Sequence, residues 1–211
     1  MSDAFQTYLD TLSEAARADL ERRNAARERA LEHSRELIRL CATAIRAAHR
    51  EEEAAAHADL AQADAVAQAL RQDLQPYPDL YYAGYTQDAL KELVEAHITL
   101  ALIAHRLPPT PEALQVPYDT FLNGLCEAAS ELRRRVLDVL RAGRYPEAER
   151  LLEAMDAAYD VLITFDYPDA ITGGLRRRLD QFRAVLERTR GDLTNSLQAQ
   201  RLLEALARAE A

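Results

Sequence analysis

The chain has 211 residues and a formal net charge of −9 at pH 7, from 26 basic and 35 acidic side chains. That length closes one ordinary domain around its own core. Two cysteines exclude a disulfide framework, the lack of any run of about 18 apolar residues excludes a membrane-spanning helix, and the acidic balance excludes a surface coated in positive charge while leaving room for a local basic one. The first twenty residues lack the basic and apolar regions of a signal peptide, so a soluble, cytoplasmic protein with no membrane partner is expected.

Six Gly and eight Pro are few, and Ala, Leu, Glu and Arg, all good helix formers, dominate. Residues 1–53 contain neither Pro nor Gly. Leu31, Leu37, Ile38, Leu40, Cys41, Ala44, Ile45 and Ala48 recur there at helical spacing, which predicts one long helix. An Ala-rich helix is expected over about 54–74. The segment 75–86, with two Pro, a Gly and clustered Tyr, reads as a loop. A helix over 87–105 follows and stops at Leu107-Pro108-Pro109-Thr110-Pro111. Pro117 opens the next, which runs to Gly143 as its cap. Helices over about 145–165 and from 175 onward complete the chain, separated by Tyr167-Pro168 and Thr172-Gly173-Gly174. With no repeat and no strand-like alternation, the expectation is an all-α, single-domain bundle of six or seven helices over residues 1–211.

Phosphate-binding glycine loops, CxxC and HExxH are all absent. The five His are scattered, and no third ligand joins His97 and His105 at a metal-site spacing. Cys41 and Cys126 sit among apolar positions and read as packing.

The acids carry more information. Glu92 and Glu95 are three apart on one predicted helix, with Asp88 a turn before them. Glu127 and Glu131 are four apart on the next, with Asp138 on the same face. If the two helices pack antiparallel through the short Pro-rich connection, the acidic faces meet. Converging carboxylates repel each other unless solvated or neutralised by a cation, and an all-oxygen site suits Mg²⁺ or Mn²⁺. A solvated face gives the same spacing, with Leu90, Leu93, Val94, Ile98 and Ala101 turned to the core.

Arg35, Arg39, Arg46 and Arg50 fall within an arc of about 60° on the first helix, with His49 at its edge. Such a row can track a phosphate backbone or be a solvated face paired with neighbouring Glu. A second cluster, Arg176, Arg177, Arg178, Arg183, Arg188 and Arg190, wraps more than one face and reads as solvated. Tyr77, Tyr81, Tyr82 and Tyr85 suit either stacking on unpaired bases or packing their loop onto the domain.

Several segments resemble the translin family, which comprises translin and translin-associated factor X. SRELIRLCATAIRAAHR (34–50) is similar to the family's early Ser-Arg…His-Arg helix. LKELVEA (90–96) resembles the Leu-x-Glu-Tyr-Val-Glu-Ala motif of factor X. FLNGLCEAASELRR (121–134) and the RAGRY after it resemble the Tyr-Leu-x-Gly…Glu-Leu-x-Arg signature. LRRRLDQFRAVLERTRGDL (175–193) is similar to the last helix. The resemblance spans roughly residues 34–193.

It implies an all-α subunit of a hollow homo-oligomer, often an octamer, enclosing single-stranded RNA or DNA. The factor X type is a metal-dependent endoribonuclease, and the motif match places its catalytic, metal-holding carboxylates at Glu92, Glu95 and Glu127. Glu131 belongs to the same signature and would serve as ligand or base. The first three are where translin-type sequences tend to carry non-acidic residues. The family's catalytic Asp is here Glu127, one methylene longer, and the Ala-Ser-Glu-Leu around Glu131 is closer to translin. The expectation is therefore a Mg²⁺- or Mn²⁺-dependent endoribonuclease acting on single-stranded RNA. Arg35, Arg39, Arg46, His49 and Arg50 would grip the backbone. Arg134 would contact a phosphate oxygen or pair with Glu131 or Asp138. The rival expectation is a non-catalytic, translin-like protein that binds single-stranded RNA or DNA.

Overall fold

The computed structural model describes residues 2–210, and among these all regular structure is helical. In chain order the helices are α1 (Ser2–His49), α2 (Glu53–Leu74), the single turn α3 (Pro78–Tyr81), α4 (Gly84–Ile103), the single turn α5 (Pro111–Leu114), α6 (Tyr118–Arg141), α7 (Tyr145–Leu162), the single turn α8 (Asp169–Thr172) and α9 (Leu175–Glu210). The six long helices are those the sequence predicts. Two of the long helix ends are closed by a left-handed residue other than glycine. Glu51 takes φ 63° and His105 φ 56°, and in each case the next N–H reaches back to the helix, Glu52 to Ala47 O at 3.0 Å and Arg106 to Ala101 O at 2.8 Å. This is the left-handed cap that glycine usually provides, and Gly143 supplies it in the same way at the end of α6. The helix expected over 1–53 therefore ends at His49.

Apolar stripes sort the helices into two layers. Leu37, Leu40, Leu70, Leu90, Leu93 and Ile98 bury α1, α2 and α4 against one another. Leu132, Val136, Leu151, Met155, Phe182 and Leu186 do the same for α6, α7 and α9. The layers meet where α4 packs on α6. Gly124 of α6 makes that approach close: a Cβ there would stand 2.6 Å from Val94 Cβ and 2.9 Å from the Lys91 carbonyl oxygen.

The direction of this packing corrects the expectation. Gln87 accepts a hydrogen bond from Thr120 at 2.6 Å, and further along both helices Lys91 reaches Glu127. Thus α4 and α6 run parallel, not antiparallel. The connection 104–117 must travel back along α4, about 30 Å for a helix of that length. An extended chain of that size reaches about 45 Å, enough to cover the distance with the single turn α5 inside it, and Pro108 and Pro109 hold the stretch before α5 out of helix. Arg71 of α2 pins the return, its Nη2 donating to Leu114 O at 2.6 Å.

At the other end of the molecule's surface pattern, every described side chain of α1 up to Arg22 is exposed, including Phe5 and Tyr8. Among the described residues no helix is long and apolar enough to cross a membrane.

Candidate metal centre and nucleic-acid interface

Parallel packing brings the acidic stripe of α4 onto that of α6. Glu92, Glu95 and Glu127 each offer one carboxylate oxygen, and the three oxygens lie within 4.8 Å of one another. Glu131, one turn further along α6, joins Glu95, Glu127 and Arg178 in lining a cavity of about 340 Å³. Asp88 is exposed and, like Asp138, lies outside the converging group.

This is not a solvated face. Burial, with the charges of Glu92, Glu127 and Glu131 around it, pushes the Glu95 carboxyl up to about 8. A proton therefore sits on Glu95 near neutral pH unless positive charge arrives. The donor set is all hard oxygen, the chemistry that Mg²⁺ and Mn²⁺ prefer.

Two cations that the spacing arguments missed line the same seam. Lys91 is 9% exposed. Its Nζ lies 3.1 Å from Glu92 Oε1 and 2.5 Å from Glu127 Oε2. Burial alone would lower the Lys91 pKa, but hydrogen bonding and charge from Glu127 and Glu92 outweigh it and hold the ammonium above its ordinary value. From α9, Arg178 Nε donates to Glu127 Oε1 at 2.8 Å, and its Nη1 donates to Asn123 Oδ1 and Gly173 O, both at 3.0 Å. Lys91 carried a signal as the one lysine in an arginine-rich chain. Arg178 carried none among its arginine neighbours.

The basic stripe of α1 is present and open. Arg35, Arg39, Arg46 and Arg50 are exposed. Arg39 forks onto Glu36 at 2.9 and 2.6 Å, and Arg50 onto Glu52 at the same distances. Arg46 bonds Thr43 at 3.1 Å. His49 is a correction: its side chain is 1% exposed and bonds Glu131 at 2.8 Å. It turns inward to the carboxylates and does not stand on the open stripe. Arg134 is exposed and, among the described residues, pairs with neither Glu131 nor Asp138. Of the tyrosines, Tyr81 and Tyr85 pack against the core and Tyr77 lies under Arg23 at 5.9 Å, so three of the four fasten the loop to its own domain. Tyr82 is exposed and meets the Tyr81 ring edge-on at 4.9 Å. Cys41 and Cys126 are both buried. Burial raises both thiols, Cys126 to about 12, which makes them packing groups.

Two three-helix layers with a carboxylate seam between them define the class: an all-α bundle of the kind seen in C3PO, the complex of translin with translin-associated factor X. The chain belongs to the translin family. It is 34% identical to AfC3PO, with a TM-score of 0.82 and coverage of 88% of this chain and 96% of that one for the structure solved as a complex with duplex RNA. A structure of apo-NeC3PO shares the fold at 22% identity, with a TM-score of 0.77 over 89% of this chain and 96% of that one. An uncharacterized protein of Methanocaldococcus jannaschii is 30% identical over 195 residues, covering 90% of this chain and 85% of its own length. No protein-family model matches the sequence.

Proposed function

We propose that this chain is a metal-dependent endoribonuclease that hydrolyses phosphodiester bonds within a hollow homo-oligomer, an octamer by family resemblance. The observation that carries this reading is the convergence of Glu92, Glu95 and Glu127 within 4.8 Å, on the positions the factor X motifs supply. These three would hold Mg²⁺ or Mn²⁺, with Glu131 as a further ligand or base. Such an ion, when bound, supplies an acidified water and offsets charge on the phosphate. The protein's own groups do the rest. Glu131, oriented by His49, would take a proton from the attacking water. Arg178 would meet a non-bridging oxygen from the cavity wall. Arg35, Arg39, Arg46 and Arg50 would hold the strand by its phosphates, which gives little base preference. Arg134, exposed and without an acidic partner among the described residues, would add a phosphate contact.

One observation favours the rival, a binding protein without catalysis. Both oxygens of Glu127 are engaged by cations of the chain itself, Lys91 and Arg178, and this is the position where the family carries Asp. The test separates the two. Labelled single-stranded RNA, duplex RNA and single-stranded DNA are incubated with Mn²⁺, Mg²⁺ or EDTA beside Glu95→Gln. The duplex is included because AfC3PO was solved with duplex RNA. RNA cleavage that needs the metal and is lost in the variant supports the nuclease. Binding without cleavage under every metal overturns it in favour of the rival.

A further inference from the structure

An ammonium persists in a buried seam only where opposite charge surrounds it, and Lys91 meets that condition by bridging the two helices. It contacts Glu92 of α4 and Glu127 of α6, two of the three residues whose oxygens converge. In hydrolytic centres with two ions, the second ion sits about 3.5–4 Å from the first and shares its carboxylates. The Lys91 ammonium lies between carboxylates in that manner, on a stem fixed to α4. A carboxylate has about four lone-pair sites, so Glu92 and Glu127 can hold the ammonium and still face an ion beside it.

Charge leads to the same count. Fully ionised, Glu92, Glu95, Glu127 and Glu131 carry four negative charges, and Lys91 and Arg178 return two. Among these six side chains the difference is the charge of one divalent ion. A second divalent ion would make the seam positive and press against the ammonium. Resting on the reading that these carboxylates hold a divalent cation, we infer that Lys91 stands in for the second ion of a two-ion centre, so that the site takes one divalent cation per chain.

The test counts ions. Mn²⁺ bound per chain is measured by equilibrium dialysis and elemental analysis, with the Glu95→Gln/Glu127→Gln double variant as the baseline for surface binding. The wild-type protein is expected to hold one ion above baseline, Lys91→Met two, and Lys91→Arg one, since arginine restores the charge. Circular dichroism confirms the fold of each variant. Two ions in the wild type, or one in a folded Lys91→Met, overturns the inference and leaves the proposed nuclease standing. No ion above baseline in the wild type overturns both. The wild-type count alone decides the stoichiometry if Lys91→Met does not fold.

Discussion

His49 and Glu131 meet across 82 residues of sequence, the imidazole Nε2–H donating to Glu131 Oε1 over 2.8 Å. The bond joins the last turn of α1 to the middle of α6 at the carboxylate seam. Because His49 is buried against Glu131, the geometry suits it to orienting that carboxylate more than to reaching a strand on the open stripe. His49→Ala is expected to cost about 1–3 kcal/mol, the usual penalty for stranding a buried polar partner, as read by denaturant unfolding. It is also expected to weaken Mn²⁺ binding while leaving RNA affinity in EDTA unchanged. A large loss of RNA affinity in EDTA would return His49 to the binding stripe.

Glu95 makes stability depend on pH in the unusual direction. Its folded value is about 8 against an ordinary 4.5. Between those limits the folded chain keeps a proton that the unfolded chain has released. Stability therefore falls as pH rises from about 4.5 to about 8 and levels off above, by an amount on the order of a few kcal/mol. Thermal unfolding in EDTA across this range is expected to show the slope in the wild type and its loss in Glu95→Gln, which should be the more stable protein at pH 8. Saturating Mn²⁺ should flatten the wild-type slope, since a cation removes the reason to hold the proton.

Arg39 tests the stripe. It is exposed and its partner Glu36 is on the same helix, so Arg39→Glu is expected to change stability by less than about 0.5 kcal/mol. RNA binding at fixed salt should weaken about tenfold or more, and Arg39→Ala should reduce the salt slope by about 0.7 for a single strand. Unchanged affinity in a filter-binding or anisotropy titration would remove this face of α1 from the interface.

Gly124 tests the seam itself. A methyl at this position would overlap Val94 and the Lys91 carbonyl. Gly124→Ala is expected to destabilise by about 1–3 kcal/mol as α4 and α6 are forced apart. Divalent-ion binding should weaken as well, because the same displacement separates Glu92 and Glu95 from Glu127.

The helices were legible because propensity and proline placement act locally, and the spacing pointed to facing carboxylates, of which Glu92, Glu95 and Glu127 converge. What spacing did not carry was the partner of each face. A helical wheel puts Glu127 on a stripe but says nothing of which way the neighbouring helix runs. The connection 104–117 was read as a hairpin link because it is short for a loop, yet its prolines extend it far enough to return along α4. Arg178 was hidden for the same reason: its role is set by α9 lying beside α6, a contact between residues 51 apart. His49 sat at the edge of the arginine arc, where a small rotation decides between solvent and core.

The return of 104–117 along α4 also has a consequence for how the protein is born. A hairpin of two antiparallel helices can assemble as soon as its second helix is made. Here Glu92 and Glu95 leave the ribosome on a helix whose acidic partners come only with α6, and Arg178 arrives later still with α9. The cluster of Glu92, Glu95 and Glu127 is non-local and forms only once α6 packs on α4. A chain made only as far as α4 carries Glu92 and Glu95 without Glu127, so the three-carboxylate cluster is absent from the nascent protein until α6 has been made and has packed.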